Sequence, residues 1–132
     1  MTEINQRLRE FTTQIAFHLT LSRQMIGRLQ EIKLRQMLAD VGLSFYNHTD
    51  EVNDARKQVP DIRNFIAADR ALEARGLITM TPNWEKVWNQ PLAMPARLSP
   101  AGEHVFELLI MAGVVNKLSI PANAQMKQRR RA

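Results

Sequence analysis

ALEARGLI, residues 71–78, and ARLSPAGEHVFELL, residues 96–109, are the two stretches that decide the fold. In the first, Leu72 closes an apolar helical stripe. Gly76 then lets the chain leave the helix through a left-handed conformation without a Cβ clash. Leu77 to Thr81 follows as a short strand. In the second stretch, Ala96 to Ser99 forms a return strand. Ser99 caps the helix after it, and Pro100 occupies the first helical position with its φ already set. Val105, Phe106, Leu108, Leu109 and Ala112 supply that helix's buried face, and Gly113 ends it. A two-stranded hairpin is marginal alone, so helices must lie beneath it.

Working upstream, residues 61–75 form a strong helix. Ile62, Phe65, Ile66, Ala68 and Leu72 make its inward stripe, while Arg63, Ala67, Arg70 and Ala74 make an outward one with Asn64 beside it. Before it, Thr49 caps a short helix over 50–58, with Asp50 and Glu51 in the first turn. Pro60 separates the two. Residues 43–49 are a loop. A helix from Ser22 to Ala39 carries Met25, Ile26, Leu29, Ile32, Leu34, Met37 and Leu38, is weakened by Gly27 and stops at Gly42. The first helix, 2–21, has a stripe of Ile4, Leu8, Phe11, Ile15 and Leu19 at spacings of four, three, four and four.

Downstream, Pro82 to Ala96 is an irregular segment holding both tryptophans, Trp84 and Trp88. Val114 to Ile120 is apolar enough to pack back on the body. After Pro121 the chain turns polar and basic. The expected organisation is N-terminal helices over 1–42, a core domain over 43–120 and a basic flexible tail over 121–132.

The chain has 132 residues with 45% hydrophobic and 23% charged side chains, which suits one globular domain. It has no cysteine, so disulfides, thiol nucleophiles and cysteine-built zinc sites are excluded. No run of about 18 apolar residues is present to span a membrane. No basic-then-apolar secretory signal opens the chain, and a cytoplasmic protein is expected. The net charge is +5, from 18 basic and 13 acidic residues. Four of the bases are Lys127, Arg129, Arg130 and Arg131, and setting these aside leaves 14 against 13. The pI near 10.2 is therefore mostly a property of the tail, which favours polyanions as any cationic segment does.

The order of elements, with Leu72, Gly76, Leu77 and Ile78 and then Leu98, Ser99 and Gly102, resembles winged-helix transcription regulators of the MarR and PadR types. In those families a recognition helix ends in a Leu-x-x-x-Gly-Leu-Ile run, and the second wing strand leads into Leu-Thr-x-x-Gly. Thr49, Val52 and Ala55 stand where the first helix of a helix-turn-helix places its cap and packing residues. Val59 and Pro60 replace the glycine usual in the turn. The likeness covers about residues 49–112. It implies a mainly α fold: a winged helix-turn-helix with a short β-hairpin wing and extra N-terminal helices.

The resemblance also implies a sequence-specific, double-stranded-DNA-binding regulator, acting as a repressor. Its small size suits one carried by a phage or mobile element. Residues 61–75 would enter the major groove. Arg63 would reach guanine or phosphate, Asn64 would pair with adenine, Ala67 would allow close approach, and Arg70 would hold phosphate. The wing offers Lys86 and Arg97, and the tail offers Lys127, Arg129, Arg130 and Arg131. The terminal helices build the dimer in such regulators, which assigns Ile4, Leu8, Phe11 and Ile15 to a homodimer interface.

Other readings stay open. Arg63 and Arg70 can be surface residues paired with Asp69 and Glu73. Trp84 and Trp88 either tuck onto the body or form a protein-binding patch. The near-neutral body and the acids Asp61, Asp69 and Glu73 suit a protein-binding adaptor or inhibitor that keeps the fold without reading DNA. A third reading is an RNA or membrane-surface binder acting through the tail alone. His18, His48 and His104 lie on separate elements, and Glu103, His104 and Glu107 lack a partner set. No phosphate loop, serine-nucleophile or zinc-protease motif occurs. The expectation is no enzyme, no metal and no cofactor.

Overall fold

The computed structural model describes residues 3–7, 21–62, 65–80 and 96–120. Residues 3–7 are helical. The remaining elements are α1 (Arg23–Asp40), α2 (Asp50–Arg56), α3 (Phe65–Ala74), β1 (Ile78–Met80), β2 (Ala96–Leu98) and α4 (Pro100–Met111). The two strands pair antiparallel in the register Ile78↔Leu98, Thr79↔Arg97 and Met80↔Ala96. The described chain is thus mainly helical with one small sheet.

Local chemistry sets most of the boundaries. The Ser22 hydroxyl accepts from the Met25 N–H, Thr49 from Val52 and Ser99 from Gly102, so three helices start at side-chain caps. At the end of α3, the Gly76 N–H donates to the Glu73 carbonyl at 2.9 Å and the Leu77 N–H to the Leu72 carbonyl at 3.0 Å. This is a Schellman closure, and it requires the φ of +72° that Gly76 adopts. Leu72 and Leu77, the pair such a closure brings together, are both buried. The end of α1 repeats the pattern, with Leu43 donating back to Leu38. Gly76→Ala is expected to cost about 1–2 kcal/mol in urea unfolding. Nothing lies within 4 Å of the added Cβ, so the loss measures backbone conformation alone.

Helix α1 is the centre of the core. Met25, Leu29, Ile32, Leu34 and Leu38 are buried on it, and so are the polar residues Arg28, Glu31 and Gln36. It packs against α3, β2 and α4. The boundary expected at residue 42 therefore does not separate two cores, because α1 residues share one apolar cluster with Val52, Leu72, Leu98, Phe106 and Leu109. Val115 and Leu118 are also buried, as the apolar run after Gly113 suggests. Gln58 fastens that segment: its side-chain N–H donates to the Ser119 carbonyl at 2.7 Å, and its Oε1 accepts from the Ser119 N–H at 3.0 Å.

Two local expectations change. The helix expected from residue 61 is described from Phe65, and residues 61 and 62 are not helical. The turn before α3 instead presses on α1 at Gly27. A Cβ there would lie 2.8 Å from Ile62 Cδ1 and 2.9 Å from Pro60 Cγ. Gly27 permits that approach, which outweighs its modest helix penalty. The second change is the roll of α3. Its inner face is Ala68, Asp69 and Leu72, with Phe65 half-buried, while Ile66 is 47% exposed. Ile66 was expected inward and lies about 100° around the helix from Phe65.

Candidate nucleic-acid interface

The roll of α3 is set by a buried charge. Arg28 is 1% exposed and Asp69 4% exposed. The guanidinium grips the carboxylate with two bonds, Nε donating to Oδ1 at 2.7 Å and Nη2 to Oδ2 at 3.2 Å. This fork fixes both distance and orientation. Arg28 Nη1 also donates to Glu31, and Arg28 Cζ sits 4.2 Å from the Phe65 ring centroid. Burial holds the Arg28 guanidinium below its ordinary pKa, while the Asp69 hydrogen bond pulls it back up. Arginine keeps its charge under either influence. The alternative reading of Arg63 and Arg70 as surface residues takes Asp69 as one of their partners. Asp69 instead points into the protein, where it accepts from the two guanidinium nitrogens, Nε and Nη2, that do not donate to the Glu31 carboxylate.

That inward turn shapes the opposite face. Ile66, Ala67, Arg70, Glu73 and Ala74 are exposed on α3. Among the described residues, Arg70 has no ion-pair partner, and Glu73 is the only exposed acid on the helix. Ala67 and Arg70 therefore lie one turn apart on one open face, as their spacing implies. Arg97 is exposed on β2, across from exposed Thr79. Arg63, Asn64, Lys86, Trp84, Trp88, Lys127, Arg129, Arg130 and Arg131 lie outside the described residues, as do Leu8, Phe11 and Ile15. Ile4 is 60% exposed.

Other polar side chains hold the scaffold. Glu103 accepts from Lys33 Nζ at 2.7 Å and from the Gln36 amide at 3.0 Å. The Leu98 N–H donates to Gln36 Oε1 at 2.6 Å, so one glutamine joins α1, β2 and α4. Arg35 Cζ lies 4.5 Å from the Phe45 centroid, and its Nη2 donates to the Tyr46 hydroxyl at 2.9 Å. Arg56 Nη1 donates to the Phe45 carbonyl at 3.0 Å, which pins the loop after α1 from the other side. Among the described residues, no group of three His, Asp or Glu is placed to hold a metal ion. Among the same residues, no helix is long and apolar enough to cross a membrane.

Sequence reading missed Arg28 as the residue that orients α3. The signal was present: Met25, Arg28, Leu29 and Ile32 follow the spacing of one helical face, with a cation set among apolar residues. Which carboxylate would meet it, 41 positions away, was not legible. No protein-family model, curated protein or solved structure matches the chain.

Proposed function

We propose that the chain is a winged-helix regulator that binds double-stranded DNA, with α3 in the major groove and the β1–β2 pair as the base of a wing. The observation that carries this reading is the open outer face of α3, where Arg70 is exposed while Asp69 is withdrawn into the interior. A helix presented on one side and clamped on the other can lie along base edges. The order of two helices, a third helix, a strand pair and a closing helix supports the same reading. Arg63 and Asn64 would read bases just before Phe65, Ala67 would let the backbone approach, and Arg70 would hold a phosphate. Lys86 and Arg97 would add wing contacts. The tail bases Lys127, Arg129, Arg130 and Arg131 would add attraction to any polyanion. A homodimer through the stripe of Ile4, Leu8, Phe11 and Ile15 belongs to this proposal, with repression by promoter occupancy in the cytoplasm.

The test is selection from random-sequence duplex DNA, followed by binding across a salt series. Two-fold symmetric sites are expected. Arg70→Ala should weaken binding to all sequences alike and lower the salt slope by about one. Arg63→Ala with Asn64→Ala should relax preference by about 1–3 kcal/mol per lost base contact. A protein truncated after Met126 should keep its preference at reduced affinity. If truncation alone abolishes binding and the helix variants change nothing, the tail is a nonspecific polyelectrolyte. The nearly balanced charge of the body favours a second reading, a protein-binding adaptor. Intact protein that ignores DNA at low salt would establish that alternative over the first.

A further inference from the structure

The exposed face of α3 holds one residue whose chemistry differs from its neighbours. Ile66 is 47% exposed on the second residue of the described helix, with exposed Ala67 beside it and Arg70 one turn on. A lone exposed isoleucine has no stated partner by itself. Here its position is held from behind, since the Arg28–Asp69 fork fixes the roll of α3 and so the direction of every outward side chain. Isoleucine is β-branched and nearly single-valued in χ1 on a helix. The result is a stiff apolar contact at the leading end of a face that also carries a cation.

We propose that Ile66 is a specificity-determining residue that recognises the C5-methyl group of thymine. The inference rests on the DNA-binding reading above and names what that surface would read. In the major groove, thymine is the base that presents a methyl group, and apolar side chains recognise it by contact. Ala67 beside Ile66 leaves room for the base edge. Arg70, one turn from Ile66, supplies the charge that directs this end of the face toward phosphate, while the exposed acid Glu73 lies two turns on, at the end away from Ile66. Exposed Ile4 has Arg7 one turn on, but that guanidinium is paired with Glu3 at 3.0 Å, and exposed Tyr46, Met111 and Val114 have no such cation one turn away on the same helix face.

The experiment uses the duplex recovered by selection with intact protein, and the same duplex with each thymine replaced in turn by deoxyuridine. That replacement removes one methyl group and leaves every hydrogen-bonding atom in place. At one or two positions the intact protein should bind about fourfold more weakly, the effect of about one buried CH₂. Ile66→Ala should bind the thymine and deoxyuridine duplexes equally at those positions, and Ile66→Val should keep most of the difference. Circular dichroism of both variants should match the parent, since the site is on the surface. Three outcomes overturn the inference while leaving DNA reading intact: a selected site without thymine, indifference of the parent to deoxyuridine everywhere, or undiminished discrimination by Ile66→Ala. Failure to select any sequence overturns the DNA-binding reading together with this inference.

Discussion

Arg28→Ala is expected to destabilise the protein by about 3–5 kcal/mol, measured by urea unfolding. Three effects point the same way. The substitution removes one of the largest fully buried side chains. It also deletes both hydrogen bonds recorded for the Asp69 carboxylate, leaving a buried anion without a partner. The third effect is at Phe65, which loses the guanidinium above its ring. Asp69→Ala should cost less, because Arg28 would keep its bond to Glu31. Arg28→Met combined with Asp69→Leu should recover part of the stability, since apolar replacements of similar volume commonly match a buried ion pair while Glu31 still loses its bond from Arg28. A double variant whose loss equals the sum of the Arg28→Met and Asp69→Leu losses would show that the two sites act independently and that the fork does not hold α3. Added salt should change little, as buried charges are weakly screened.

Gly102→Ala is the second large expectation. A Cβ at this position would overlap the Leu77 carbonyl oxygen, with the carbonyl carbon at 2.9 Å and Leu77 Cα at 3.4 Å. The obstruction is backbone, and it cannot swing aside as a side chain can. The same carbonyl accepts the Ser99 N–H at 3.0 Å, and the Ser99 hydroxyl both caps α4 and donates to the Gly76 carbonyl. Moving Leu77 therefore loosens the α3–β1 turn and the β2–α4 turn together. Overpacking costs about 1–3 kcal/mol, and more where relaxation is blocked. Alanine returns up to about 1 kcal/mol of helix propensity, so the net loss understates the overlap. We expect about 3 kcal/mol in urea unfolding, clearly more than Gly76→Ala. Equal losses in the two variants would mean that α4 does not press on Leu77.

These two glycines mark where sequence reading succeeded and where it stopped. Gly76 was legible because a helix end is decided within about six residues, and its left-handed φ follows from local closure. The caps at Thr49 and Ser99 were legible for the same reason, and helical spacing made the outward placement of Ala67 and Arg70 legible, whereas the cap at Ser22 was not read. Gly102 was visible as part of a motif, but its close contact with Leu77 arises only when two segments 25 positions apart meet. The same holds for Gly27 against Pro60 and Ile62.

The sequence by itself determined the element types, most of their ends and the pairing of a short strand after α3 with one before α4. Periodicity and capping act over a turn or two of chain, so they are written locally. Tertiary structure alone decided which way α3 faces. Its apolar positions allow more than one roll, and the choice that hides Asp69 and shows Ile66 is made by a guanidinium on α1 whose Nε and Nη2 need an acceptor beyond Glu31 once they are taken out of water.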